Sequence, residues 1–283
     1  MPVRSGTDLT PPGSAPAVVR AIAVLDAIAD SPTGYLSLSE VARAIGIPKS
    51  SASAICNALE TGLLIRREDV GYRLGRRTVE LGGAYLSRLD QVTEFYDFCA
   101  NSELFAQETV RLSVLAGIDT LCLARYEGRP ALRLTSGIGD RFPANSSAQG
   151  KALLAKLDDA EVERLFYGIP ELAQATSRSI RTLPDLLADL AGTRQRGYGL
   201  DAGEAADHVV GLAVAIATRG VRSPMLAASV TLLDSQVTDA RRDAMVRELR
   251  RLASALGNPM SPVSRNAAMA KPVASAPLAT WSP

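Results

Sequence analysis

One histidine and three cysteines are the only imidazole and thiol groups in this chain of 283 residues, and their spacing removes most of the chemistry such groups perform. Cys56, Cys99 and Cys122 stand far apart, odd in number and in no CxxC pair, which fits neither a disulfide framework nor a zinc ribbon. His208 lies beside an expected strand start and reads as structural rather than as a base. An enzymatic reading would make Asp201 and Glu204 general acid and base, but no nucleophile, imidazole partner or metal cluster accompanies them. Their surroundings, GYGLDAGE at residues 197–204, are glycine-rich without a GxGxxG or Walker pattern. No catalytic residue, metal or cofactor is therefore expected, and the chemistry left to this chain is recognition.

Recognition does have candidates. Lys49, Ser50, Ser53, Ala54 and Asn57 fall on one side of a helix expected over residues 48–61, while Ala52, Ile55, Cys56 and Leu59 are spaced for burial on the other. Outward side chains that are short or polar, none of them acidic, let a helix enter a DNA major groove about 12 Å wide. Between residues 43 and 77 seven basic residues stand against three acidic ones. The whole chain carries 31 basic and 30 acidic residues, so this local excess hides in a near-neutral total that argues against a broadly polyanion-coating protein. The candidate DNA-contacting set is Ser39, Lys49, Ser50, Ser51, Ser53, Ala54, Asn57, Arg66, Arg67 and Arg73. Ser50, Ser51, Ser53 and Asn57 approach base edges in this scheme, and Lys49 and the arginines sit on phosphates.

The elements that must position these residues follow from periodicity. Val18, Ile22, Leu25 and Ile28 recur on one helical face before Ser31-Pro32-Thr33-Gly34 stops the helix. Ser37 with Glu40 three residues later forms a capping box for a second, shorter helix that buries Leu38, Val41, Ala42 and Ile45 and ends at Gly46. Pro48 suits the first turn of the third helix and Gly62 its exit. Two short helices joined by a glycine-containing turn make a helix-turn-helix. Strands over residues 63–67 and 72–74 add a hairpin, giving a winged helix-turn-helix over residues 16–77. Residues 78–104 read as one long linker helix, with Leu81, Tyr85, Leu89 and Val92 on a face that suits either a second subunit or plain core packing.

Beyond residue 105 strand-like alternation takes over, with strands expected at 109–115, 120–126, 132–136, 209–217 and 225–233. Helices are expected at 148–157, 159–166, 183–196 and 240–256. The fold class is α+β, with a largely antiparallel sheet flanked by helices. The last helix, with Met245, Leu249, Leu252 and Leu256, packs either on the sheet or on a partner subunit. Alternate strand positions are bulky (Val110, Leu112, Val114, Leu212, Val214, Val230, Leu232) or small and polar (Thr109, Arg111, Ser113, Gly211, Ala213, Ala215, Ala227, Ser229, Thr231). A face of small side chains either walls a ligand cavity or receives a helix packed unusually close. The SAQGKA segment at residues 147–152 opens a helix whose start favours anions, and its Lys151 reads equally as a surface charge.

These stretches resemble the IclR family of bacterial transcriptional regulators over residues 17–256. The likeness rests on RAIAVLDAIA at residues 20–29, LSLSEVARAIGIPKSSASAICNALETGLL at 36–64, YRLG at 72–75, ETVRLSVL at 108–115, SAQGKALLA at 147–155 and RGYGLDAGE at 196–204. The resemblance implies an N-terminal winged helix, a linker helix and a GAF-like effector-binding domain at residues 105–256. It also implies a homodimer or dimer of dimers on double-stranded operator DNA. This chain has Ala54 where many relatives carry Arg, Gly211 where relatives often show Cys, and Ala215 where they have a nearby Pro. Both of the latter changes empty space on the small-residue face. The candidate effector set is Arg111, Ser113, Cys122, Arg133, Asp201, Glu204, Gly211, Ser229 and Thr231, and the effector is a small organic molecule, a carboxylate by its arginine partners.

A chain of this length with 47% hydrophobic residues holds two domains of ordinary size. Its longest apolar run, residues 209–217, is far short of the roughly 18–20 that cross a bilayer, so no membrane contact and a cytoplasmic setting are expected. Residues 1–15 and 257–283 read as disordered tails. The alternative to a DNA-binding regulator is a winged helix used for protein docking or dimerisation beside a ligand-sensing domain.

Overall fold

Helix α1 (Pro16–Ala29) starts one residue into the first described stretch of the computed structural model, which comprises residues 15–130, 136–219 and 223–258. Contacts divide the chain into two units, one ending at Arg88 and the other beginning at Leu89. In the first, α1 buries Val24 and Ile28, with Ala21 and Leu25 packed beside them. The expected stripe is turned: Val18 and Ile22 are 57% and 53% exposed. Two overlapping apolar stripes run along this helix, and the neighbours, not the spacing, select the inner one.

Helix α2 (Leu38–Ala44) begins in the expected capping box: Ser37 N donates to Glu40 Oε2 at 2.8 Å and Glu40 N to Ser37 Oγ at 3.3 Å. Helix α3 (Lys49–Thr61) follows, with Pro48 as its N-cap, and buries Ala52, Cys56 and Leu59. Its exit differs from the simple glycine stop. Gly62 is the C-cap, while Leu63 takes the left-handed conformation at φ 58°. Leu64 N then donates to Leu59 O and Leu63 N to Glu60 O, the paired bonds that close a helix in a Schellman motif. Strands β1 (Ile65–Glu68) and β2 (Gly71–Leu74) form an antiparallel hairpin, and Leu36 joins it through paired backbone bonds with Tyr72. Gly71 at φ 146° allows that third segment in, since a Cβ there would lie 2.4 Å from Leu36 O.

The expected helix over residues 78–104 is broken. Helix α4 (Arg77–Leu86) stops where the Ser87 hydroxyl donates to Ala84 O at 3.2 Å, and α5 (Asp90–Ala100) starts after an extended Leu89. A serine that bonds its own helix backbone, after the poor helix formers Gly82 and Gly83, accounts for the stop. No residue of α4 is buried, and Val79, Leu81 and Tyr85 are exposed. On α5 the buried stripe is Gln91, Phe95 and Cys99 rather than one through Val92.

The second unit is built on strands β3 (Thr109–Ala116), β4 (Asp119–Glu127), β5 (Arg141–Pro143), β6 (Gly199–Ala202), β7 (Val209–Ile216) and β8 (Leu226–Leu233). They form one antiparallel sheet in the order β5-β4-β3-β8-β7-β6. Of the strand expected at residues 132–136, all but Ser136 lies outside the described residues, as do both expected tails apart from Ala15, Gly257 and Asn258. Edge strand β6 occupies the glycine-rich stretch that carried no strand signal.

Helix α6 (Ala148–Leu154) lies on the small-residue face, with Ala148 and Ala152 against Ala213 and Ala215. The last helix, α9 (Asp239–Gly257), packs on β7 and β8. Because successive side chains on a strand point to opposite faces, α9 meets the bulky set that includes Leu212 and Val214. Helices α7 (Asp159–Leu165) and α8 (Leu183–Arg196) close a separate apolar cluster of Leu154, Val162, Phe166, Leu186 and Leu190.

Candidate functional site

On α3 the residues expected to face outward do so: Lys49, Ser50, Ala54 and Asn57 are exposed, and Ser53 is half-buried. Ser51, one position on from Ser50, sits about 100° round the helix at the edge of that surface and is half-buried, as is Ser39 on α2. The wing arginines are not free charges. Arg66 and Arg73 face each other across the hairpin, and one carboxylate, Glu68, takes both: Arg66 Nη2 at 2.7 Å and Arg73 Nη1 at 3.4 Å. Arg67 lies over the Tyr72 ring at 5.7 Å. This arrangement came from the register, which pairs residues 66 and 73 only once the two-residue turn is known.

In the second unit the strand register lays the candidate effector residues out in rows. Arg111 pairs with Ser229 and Thr109 with Thr231, while Ser113 faces Cys122 across the other side of β3. Arg111 is 4% exposed. It donates from Nη1 to Thr231 Oγ1 at 3.2 Å and from Nη2 to Ser136 Oγ at 2.7 Å, and its guanidinium lies 5.7 Å from the Phe142 ring centre. No carboxylate forms an ion pair with it among the described residues, and burial pulls its pKa down. Burial likewise pushes the Cys122 thiol up to about 11, so it is a packing group beside Arg111 rather than a nucleophile. Arg111 Nε, Ser113 Oγ and Thr109 Oγ1 are buried without a hydrogen-bond partner among the described residues. Thr109 was visible only as one more small polar strand residue.

The other half of the expected set has a different role. A Cβ on Gly211 would lie 3.1 Å from Ala148 Cβ and from Asp201 Cβ, so the glycine opens onto a helix and not onto a cavity. A Cβ on Gly199 would be tighter still, 2.1 Å from Ala148 O. At this end of the sheet the small residues exist because α6 packs close. Asp201 Oδ1 accepts from Glu204 N at 2.6 Å and Ala205 N at 3.2 Å, which ties the carboxylate to its own loop. Glu204 accepts from Lys151 Nζ at 2.6 Å, with Asp189 Oδ2 at 3.5 Å from the same ammonium. Burial raises the pKa of both Asp201 and Glu204, more than the hydrogen bonds and the nearby lysine lower it. Lys151 is fully buried, neither a surface charge nor free for an anion, and the Ser147 hydroxyl occupies Gly150 N at the start of α6. His208, at φ 63°, sits exposed just before β7, 3.7 Å from Asp234. Arg133 lies outside the described residues.

The structure thus brings together Arg111, Ser113, Cys122, Ser229 and Thr231, and gives Asp201, Glu204 and Gly211 a structural role against α6 and its loop, although Gly211 is the cross-strand neighbour of Thr231. No helix among the described residues is long and apolar enough to cross a membrane.

Comparison with known proteins agrees with both units. Residues 17–69 match the IclR helix-turn-helix domain, and residues 83–258 match the family described as bacterial transcriptional regulator IclR C-terminal. The HTH-type transcriptional regulator Rv1719 of Mycobacterium tuberculosis is 34% identical over 221 residues, covering 77% of this chain and 82% of that protein. Among solved structures, the Agrobacterium tumefaciens repressor BlcR is 31% identical with a TM-score of 0.56, covering 88% of this chain and 98% of its own. An IclR homologue from Microbacterium hydrocarbonoxydans complexed with 4-hydroxybenzoate shares the fold at a TM-score of 0.70 and 21% identity, covering 85% and 97% of the two chains.

Proposed function

The chain belongs to the IclR family of bacterial transcriptional regulators, and from that premise we propose that it is a ligand-responsive regulator whose effector is a small organic carboxylate held at Arg111. It is a DNA-binding regulator and not an enzyme. In this reading α3 enters the major groove of operator DNA, with Ser50, Ser53 and Asn57 toward base edges and Ala54 against the groove floor. Lys49 and the wing arginines meet phosphates. It works in the cytoplasm, where bacterial DNA is, as a homodimer or dimer of dimers. The exposed Val79, Leu81 and Tyr85 of α4 support a second copy as partner.

The observation that carries the effector assignment is the guanidinium of Arg111, buried on a sheet face and, among the described residues, in no ion pair with a carboxylate. A buried cation of this kind is costly until an anion joins it. Binding the anion in one dimer arrangement better than in the other shifts the equilibrium between DNA-competent and incompetent states. In the Microbacterium homologue the same fold holds a carboxylate-bearing ligand, which supports the reading.

Selection of bound sites from random DNA, with and without a set of small carboxylates, tests both halves. A preferred sequence whose occupancy changes with one of the acids is expected. Asn57→Ala and Arg67→Ala should weaken binding to that site, and Arg111→Gln should abolish the response while leaving DNA binding intact. Unchanged DNA affinity in both of the first two variants would point to the winged helix as a protein-docking module.

A further inference from the structure

Resting on the carboxylate site proposed above, we infer that the effector is an oxygen-rich acid, a hydroxy- or polyhydroxycarboxylate, and that Thr109 and Ser113 select it against aromatic and plain aliphatic acids. Thr109, Arg111 and Ser113 are alternate residues of β3 and point to one face. They are 1%, 4% and 0% exposed, and each holds a buried polar atom with no partner among the described residues: Oγ1, Nε and Oγ. Native interiors leave few such groups, so three in consecutive same-face positions of one strand mark a place where a bonding partner is missing. The spacing is about 7 Å from each residue to the next, the rise of two strand residues.

The rest of the wall is polar on both sides. Ser229 lies beside Arg111 and Thr231 beside Thr109 on β8, Arg125 and Glu127 lie beside the same two residues on β4, and Ser136 receives the far end of the guanidinium. A carboxylate on Arg111 would therefore have hydroxyls on either side of it along β3. The body of the ligand meets groups that bond oxygen, and Phe142 is the aromatic surface at hand. A ring or alkyl chain placed there would leave Thr109 and Ser113 buried and unbonded in the complex as they are in the free protein. Hydroxyls on the ligand, able both to donate and to accept, would satisfy them. Discrimination for oxygen in such a site is strong because the loss of a ligand hydroxyl orphans a buried protein group.

Acids matched in carbon number make the test: glycolate against acetate, glycerate against propionate and gluconate against hexanoate, with benzoate added. Each is titrated into the full chain by calorimetry and by thermal shift. We expect the hydroxylated member of at least one pair to bind at least about tenfold more tightly than its partner and than benzoate. Ser113→Ala or Thr109→Val should erase that preference while raising the melting temperature of the unliganded protein, because each removes an unbonded buried hydroxyl. Arg111→Gln should abolish binding of every acid. Plain acids or benzoate binding as tightly as the hydroxy acids would overturn the inference and leave the carboxylate site standing. A lower melting temperature in both hydroxyl variants, with the acid preference intact, would show that these hydroxyls only pack, and would overturn it too. If no acid binds, the carboxylate reading itself fails, and this inference with it.

Discussion

Replacing Glu68 by Gln isolates the charge arrangement of the wing. Its carboxylate, 35% exposed, joins Arg66 at 2.7 Å and Arg73 at 3.4 Å, two guanidiniums that stand opposite each other on the hairpin and are 60% and 44% exposed. Ion pairs this exposed contribute about 0–1 kcal/mol to folding, so the melting temperature should barely move. Binding to DNA should change far more. Each phosphate contact adds about 0.9 to the slope of log affinity against log salt, so two released arginines steepen it by up to about 1.8. Over a fourfold drop in salt that extra slope corresponds to about 12-fold in affinity, or about 3.5-fold if only one arginine gains a phosphate. Fluorescence anisotropy of a labelled operator fragment, titrated with wild type and Glu68→Gln at several salt concentrations, reads the slope directly. Glutamine keeps the side-chain length and an acceptor oxygen, so the change is one of charge. An unchanged slope would mean that these arginines do not reach phosphates. A shallower one would mean that Glu68 orders them for DNA instead of competing with it.

Lys151→Met should cost about 3–5 kcal/mol in urea denaturation, because it leaves the Glu204 carboxylate buried without its cation. Adding Glu204→Leu should recover much of that loss, and a double variant as unstable as the single would show that the pair is not its source. Gly211→Leu should destabilise the second unit by about 1–3 kcal/mol or more, since α6 already fills the space above it. Wild-type stability in that variant would reveal a void there. Burial raises the pKa of Asp201, so the folded protein holds more protons than the unfolded chain between the ordinary Asp value, about 3.9, and the raised one. The stabilising contribution is full below the ordinary value and is lost as pH rises through the raised one. Asp201→Asn should therefore lose less melting temperature than wild type across that window, and equal losses would show that Asp201 is not raised.

Local order was legible because its causes are local. The Ser37–Glu40 capping box lies within four residues, the helices α2, α3, α8 and α9 follow a 3.6 period, and β3, β7 and β8, buried on both faces, alternate in side-chain size. Motif stretches that resemble the IclR family are contiguous runs of the same kind. Weak elements escaped. The edge strand β6 has only four residues and looks like a turn, and the break between α4 and α5 hangs on one serine hydroxyl.

From the sequence alone came the two-domain α+β architecture, the outward face of α3, the basic excess around it and the absence of a plausible set of catalytic groups. Tertiary structure alone decided what the small residues are for. A glycine is equally consistent with an empty space and with a close neighbour, and only the position of α6 shows that Gly199 and Gly211 admit a helix. In the same way a lysine or arginine carries its charge in the sequence but not its counter-charge. Lys151 is buried against Glu204 and the wing residues Arg66 and Arg73 are tied to Glu68, whereas Arg111 is buried on the hydroxyls of Thr231 and Ser136 beside the Phe142 ring. Partners distant in the chain are set by how strands and helices meet, and that is where the recognition chemistry of this protein is determined.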